Sequence, residues 1–302
     1  MTKPNAYEVI TAQIVEAIEA GALTFAMPWN SKGRASGLPF NASTGNAYNG
    51  INILRLWVGE SANGFSTNAW ASYKQWQAKG CQVRKGEKGT PIVFFKPLEI
   101  ERKGADGDPE KATIPLIRLS TVFNADQVEG YASPAASETE EDKTARLKAA
   151  DLFVGNAGAD IRHGGDAAFY RPSADYIQMP NRSQFVGTDT STATESYYST
   201  LLHELTHWTG NKRRLDRLEF KNSFGSEGYA FEELVAELGA AFLCQSLGVT
   251  VTPRQDHAAY IQSWLKVLKN DSRAIFKAAA QAQKAADYLH GLQATKATEK
   301  AA

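Results

Sequence analysis

The segment Leu201-Leu-His-Glu-Leu-Thr-His-Trp-Thr-Gly210 constrains this chain more than any other, because His203-Glu204-x-x-His207 has a meaning only on a helix. Residues i and i+4 stand one above the other on a helix, so two imidazoles at that spacing converge on one cation, and the Glu beside the first faces its open position. Polar residues Asp189 to Thr192 precede the segment as caps and Gly210 ends it. With five His in 302 residues, a chance occurrence is expected at roughly 0.005 per chain. The alternative is a pair of surface or core histidines without a ligand.

A tetrahedral zinc site needs a third protein ligand. Cys81 and Cys244 are the only cysteines, far apart in the sequence, so neither a disulfide framework nor a Cys-rich zinc module is available. A carboxylate or another His must serve. The helix expected over Tyr229–Leu243 carries Glu233 and Glu237 on one face, and Glu233 follows His207 by 26 residues, room for a loop and a returning helix. Glu233 is the expected ligand and Glu237 the acid that orients a ligating His. Glu232 and His257 are competitors, and a solvated helix face is the bland reading. Glu204 is the expected general base of a metal-assisted hydrolysis, with Tyr229 or an Arg of Lys212-Arg213-Arg214 as a candidate for stabilising an oxyanion.

Around this motif the chain reads as α+β with two domains, 1–131 and 145–302, joined by a linker at 132–144 rich in small residues and acids. The linker suggests largely independent halves. No apolar run reaches the length of a membrane span and the N-terminus lacks a signal-peptide pattern, so a cytoplasmic protein is expected, without membrane partners. In the first half, Ile10, Ile14 and Ile18 mark a helix over 5–20, Trp70, Tyr73 and Trp76 a helix over 68–79 capped by Asn68, and residues 91–96 and 114–123 a hairpin. In the second, a helix at about 144–154, a hairpin of 167–171 and 175–179, and helices to about 290 follow, with a frayed tail from Gly291.

Lys+Arg and Asp+Glu are equal at 33, so any pull toward nucleic acid is local. It is found in residues 1–98, where 10 basic residues face 5 acidic ones and four of the six Trp lie. Trp29, Lys32, Arg34, Tyr48, Arg55, Lys74, Arg84, Lys85 and Lys88 interleave aromatic and basic chemistry in the way a single-strand groove requires. Trp57, Trp70 and Trp76 are equally readable as stacking platforms or as core.

Phe40-Asn-Ala-Ser-Thr-Gly-Asn-Ala-Tyr-Asn-Gly-Ile-Asn-Ile-Leu54, Trp70-Ala-Ser-Tyr-Lys-Gln-Trp76 and Gly80 to Phe94, together with His203 to Gly210, Arg214-Leu-Asp-Arg217 and Tyr229 to Leu238, resemble the ArdC-type antirestriction proteins of conjugative plasmids. The resemblance implies an N-terminal single-stranded-DNA-binding domain and a zincin domain akin to SprT/Spartan-like metallopeptidases, with Zn2+, Mn2+ or another divalent ion bound. It further implies protection of incoming plasmid DNA during conjugation, with single-stranded DNA as partner. A host protein such as a restriction component would be the substrate of any DNA-tethered peptidase activity. In related zincins the ligand Glu comes first and the orienting acid four residues later, which supports Glu233 over Glu237.

Overall fold

The computed structural model describes residues 5–19, 37–103, 109–132, 140–187, 191–218, 226–249 and 257–300. Helix α1 (Ala6–Glu19) starts where Asn5 and Glu8 exchange backbone-to-side-chain hydrogen bonds and buries Ile10, Ile14 and Ile18. Strand β1 (Phe40–Asn41) leads to α2 (Ile51–Asn63), a helix without a strong stop signal in sequence until Gly64, whose left-handed conformation closes it.

The helix expected over 68–79 is instead strand β2 (Ala69–Ala71) followed by α3 (Tyr73–Ala78). Ser72, not Asn68, caps α3 through a capping box with Gln75. Residues 69–71 are all buried between two neighbouring strands, and pairing on both sides overrides the helical spacing of Trp70 and Tyr73. Strands β3 (Gln82–Val83), β4 (Thr90–Lys103), β5 (Pro109–Asn124) and β6 (Val128–Glu129) complete this half. The expected hairpin forms with β4 and β5 paired antiparallel from Thr90↔Val122 to Lys103↔Pro109, and the sheet order is β1-β2-β5-β4. The Asn52 amide donates to Val93 O and accepts from Val93 N, both at 2.8 Å, which occupies the edge of β4 as a strand would.

Helix α4 (Glu140–Ala157) begins within the segment read as linker. Strands β7 (Asp160–His163), β8 (Phe169–Arg171) and β9 (Tyr176–Met179) form a sheet of order β7-β9-β8, with β8 at its edge. Four helices follow: α5 (Ala193–Thr209), α6 (Glu227–Leu247), α7 (His257–Asn270) and α8 (Ala274–Lys300), the last continuing past the expected frayed point. No helix among the described residues is long and apolar enough to cross a membrane.

One apolar cluster runs through both halves. It holds Ile10, Ile14, Ile53, Leu54 and Trp57 from the first half with Phe242, Trp264, Ile275 and Ala279 from the second. The Trp57 and Phe242 rings lie 5.9 Å apart, Tyr7 and Phe276 4.6 Å apart, and the Thr11 hydroxyl donates to Ser272 O at 2.6 Å. Gly50 N donates to Gln283 Oε1 at 3.0 Å. Against the expectation of independence, the helices of the first half finish their core on the helices of the second. Trp57, Trp70 and Trp76, at 2%, 0% and 0% exposure, are core residues and not stacking platforms.

Candidate metal centre

Thr192 caps α5 through a capping box with Glu195, and the helix is buried along nearly its whole length. Ser226 caps α6 by accepting from Tyr229 N at 3.1 Å. The two helices cross at Gly239, where an added Cβ would stand 2.5 Å from Thr206 Cγ2, so the missing side chain lets the backbones approach. Packed this closely, α6 presents Glu233 and Glu237 to the histidine face of α5.

His203 Nε2 and His207 Nε2 lie 3.1 Å apart. Glu233 Oε2 is 3.6 Å from the first and Oε1 3.5 Å from the second. The three side chains each offer a ligand atom within 4.8 Å of the others. Two imidazole nitrogens and a carboxylate converging in a buried setting fit a divalent cation that accepts N and O ligands. Behind this face, Glu237 Oε1 stands 3.0 Å from His203 Nδ1 and Glu232 Oε1 3.0 Å from His207 Nδ1, so each imidazole has a carboxylate at its second nitrogen. Burial alone would lower the His207 pKa, but the Glu233 charge and the hydrogen bonds of Glu232 and Glu233 outweigh it and raise the value to about 10. Burial pushes the Glu233 carboxyl up, and the His207 and His203 contacts more than reverse this and hold it well below the usual range.

The role of Glu232 was not legible in the sequence, where it reads as a rival ligand. Nor was that of Arg217, which donates from Nε to Glu232 Oε2 at 2.8 Å and from Nη2 to Oε1 at 2.9 Å. The only sequence signal is the place of Arg217 in the segment Arg214-Leu-Asp-Arg217.

Glu204, 2% exposed, lies beside His203 on the wall of a cleft of about 760 Å3. Phe169 and Tyr170 of edge strand β8, Tyr229 of α6 and Lys277 and Gln281 of α8 line the same cleft. None of Lys212, Arg213 and Arg214 does. Lys212 and Arg213 are exposed, while Arg214 is held away by Asp175, by Trp208 O at 2.6 Å and by stacking 3.8 Å over the Trp208 ring. That sequence-based candidacy fails because the arginine staples the end of α5 to the β8–β9 turn. His257 begins α7.

Of the expected nucleic-acid contacts, Trp29, Lys32 and Arg34 lie outside the described residues. Tyr48 is half-buried and accepts from Asn41 Nδ2 at 3.3 Å, its pKa raised by burial against the opposing Asn41 bond. Arg55 is buried, donating from Nε to Pro91 O at 3.4 Å, and burial lowers its pKa to about 10. It is therefore withdrawn from any phosphate-tracking surface. Lys74, Arg84, Lys85 and Lys88 are exposed, although Arg84 is engaged by Glu87 at 2.7 Å and by Asp126 O at 2.6 Å. The basic loop of residues 84–89 ends at Gly89, packed against Thr121 and Phe123 of β5. Tyr73, 41% exposed, meets the Phe123 ring at 6.5 Å, and Leu119 is 51% exposed. The aromatic surface beside the basic loop, among the described residues, is thus Tyr73 and Phe123 and not Trp57, Trp70 or Trp76.

Residues 4–123 match the family described as the N-terminal domain of anti-restriction factor ArdC, and residues 148–281 match the zincin-like metallopeptidase family. The uncharacterized protein y4eC of Sinorhizobium fredii is 44% identical over 296 residues, covering 97% of this chain and 94% of that protein. DNA primase TraC of Escherichia coli is 41% identical over 298 residues, covering 94% of this chain but only 27% of TraC. The crystal structure of the antirestriction protein ArdC from plasmid R388 in its metal-free form superposes with a TM-score of 0.77 at 40% identity, covering 97% of this chain and 99% of that one. Its Mn(II)-bound structure gives a TM-score of 0.74 at 40% identity, covering 96% and 98%. A shared fold over nearly the whole of both chains, at this identity and with both domains matched in order, means that the chain belongs to the ArdC family of antirestriction proteins.

Proposed function

We propose that this protein binds single-stranded DNA through residues 1–131 and holds a divalent ion in residues 145–302 through His203, His207 and Glu233, acting in the cytoplasm to protect incoming plasmid DNA during conjugation. The observation that carries the reading is the pairing, in one chain, of an ArdC N-terminal domain with a buried His/His/Glu cluster. The exposed Tyr73, Lys74, Lys85 and Lys88 beside half-buried Phe123 support the DNA contact, since bases stack on aromatic rings while lysines follow phosphates.

A divalent ion, zinc or manganese, supplies Lewis-acid polarisation of a carbonyl and a water of lowered pKa when bound. Glu204 takes a proton from the attacking water and hands it to the leaving amine. Tyr229 donates to the developing oxyanion from the cleft wall, and the open edge of β8 aligns an extended peptide by main-chain hydrogen bonds. Glu237 orients His203 from behind.

The placement of Glu204 at the cleft, beside the edge strand, favours a second reading in which DNA binding tethers an active peptidase to DNA-bound host proteins such as restriction components. A scaffold has no need of a general base. The test measures bound metal, single-strand affinity and cleavage of a panel of DNA-binding proteins with and without single-stranded DNA. Metal and DNA binding without cleavage supports the binding role alone. Cleavage lost in Glu204→Gln with metal retained supports the peptidase, and a metal-free protein that still binds DNA refutes the metal centre.

A further inference from the structure

Two consecutive acids, Glu232 and Glu233, lie near the start of α6, yet only Glu233 joins the two imidazole Nε2 atoms. Both are long, flexible carboxylates, so proximity in sequence does not decide which becomes the ligand. Glu232 instead meets Arg217, whose side chain is 5% exposed. Its Nε donates to Glu232 Oε2 at 2.8 Å and its Nη2 to Oε1 at 2.9 Å, so both oxygens are engaged in a planar, two-point grip. Oε1 also stands 3.0 Å from His207 Nδ1.

The same guanidinium is anchored to the helix that carries the histidines. Nη2 donates to Thr206 O at 2.7 Å and Nη1 to Thr209 Oγ1 at 3.2 Å, in the last turn of α5, where carbonyls without an i+4 helical partner and the helix dipole favour a cation. Gly210 makes room for it. A Cβ there would lie 3.0 Å from Nη2 and 3.1 Å from Cζ of Arg217, and the φ of −76° at this residue shows that close approach, not a left-handed turn, requires the glycine.

We propose that Arg217 is a positioning residue of the metal centre: by engaging both oxygens of Glu232 it reserves that carboxylate for His207 Nδ1 and leaves Glu233 as the carboxylate ligand. The proposal rests on the metal-centre reading above. A His that donates from Nδ1 to a fixed carboxylate holds the tautomer and ring angle that present Nε2 to an ion. Without the arginine, Glu232 loses its fixed direction and competes with Glu233. Lysine cannot replace the two-point grip.

The experiment measures Zn2+ and Mn2+ dissociation constants of the full chain by competition with a chelating dye, alongside melting of the metal-free protein. Wild type is compared with Arg217→Met, Arg217→Lys, Glu232→Gln and the double variant Arg217→Met/Glu232→Gln. Affinity should fall by about 10- to 100-fold in Arg217→Met and in Glu232→Gln, the usual cost of losing a partner behind a ligand. Arg217→Lys should fail to restore it, and the double variant should be no worse than the weaker single, because both act through one contact. A merely structural arginine would lower the metal-free melting temperature and leave metal affinity alone. Wild-type affinity in Arg217→Met or Arg217→Lys, or losses that add in the double variant, would overturn the proposal while leaving the metal centre standing. Should Arg217→Met not fold, Arg217→Lys and Glu232→Gln carry the same comparison. A wild-type protein that takes up neither ion would refute the metal-centre reading and this proposal together.

Discussion

Replacing Gly239 by alanine tests the packing that brings the acids of α6 to the histidines of α5. The added methyl would stand 2.5 Å from Thr206 Cγ2, 2.8 Å from its Oγ1 and 3.2 Å from its Cβ. Carbon atoms pack best at about 3.5–4.0 Å, so the clash is deeper than a slight side-chain adjustment absorbs. Thr206 is fully buried and its hydroxyl donates to Leu202 O at 2.8 Å, so rotating it away sacrifices a hydrogen bond. Overpacking of this kind costs about 1–3 kcal/mol. Alanine in place of a helical glycine returns about 1 kcal/mol. With the nearest contact this short, a net loss of about 1–2 kcal/mol is expected. Thr206→Ala removes the two closest atoms and leaves the 3.2 Å contact with Cβ as the nearest of the three, so in that background Gly239→Ala should be neutral or stabilising. The assay is urea unfolding of the four metal-free proteins, read as a double-mutant cycle, with metal affinity measured in parallel. Separation of the helices should weaken affinity in Gly239→Ala and spare it in the double variant. Equal stabilisation by Gly239→Ala in both backgrounds would refute the close-crossing argument.

Among the metal-site acids, Glu233→Ala should abolish stoichiometric metal while Glu237→Ala weakens it by about 10- to 100-fold; full occupancy in Glu233→Ala by elemental analysis would reverse the roles. Trp57→Ala, which removes a side chain packed on Phe242 across the two halves, should cost about 3–5 kcal/mol. Unfolding followed by probes in either half should remain one transition, and a stable second half after the first has melted would count against the shared core. Lys85→Glu with Lys88→Glu should reduce the slope of log K against log salt for single-stranded DNA by about 0.7 for each lysine that contacts a phosphate; an unchanged slope removes the loop from the interface. Hydrogen bonds from Arg214 hold the Asp175 carboxyl below its ordinary value of 3.8 against the effect of burial. A depressed acid stabilises the fold above its unfolded pKa and loses that contribution as pH falls through the folded value, so Asp175→Asn should melt earlier than wild type at neutral pH. The gap should close below pH 3.8, and a gap independent of pH would point to lost packing instead.

Much of the candidate site is legible in the sequence because it is written in local patterns. The spacing of His203 and His207 requires only a helix, and Thr192 marks the start of that helix by chemistry that acts within one turn. The Ile10, Ile14, Ile18 face and the β4–β5 hairpin follow from period and turn residues. What tertiary structure alone decides is how distant side chains divide their partners. Adjacent Glu232 and Glu233 have the same chemistry, yet Arg217 engages both oxygens of the first while the second meets the two imidazole Nε2 atoms. Trp70 has helical spacing to its neighbours yet belongs to a strand, since bonds to β1 and β5 outweigh a few tenths of a kcal/mol of local preference. Arg55 has the composition of a DNA contact, but α2 turns it onto β4 and burial takes it from the surface. The small, acid-rich segment at 132–144 predicts separate halves, whereas Ile10, Trp57 and Phe242 share one core. Composition along a chain records where solvent can enter between segments; it does not record which apolar faces meet once the chain has closed on itself.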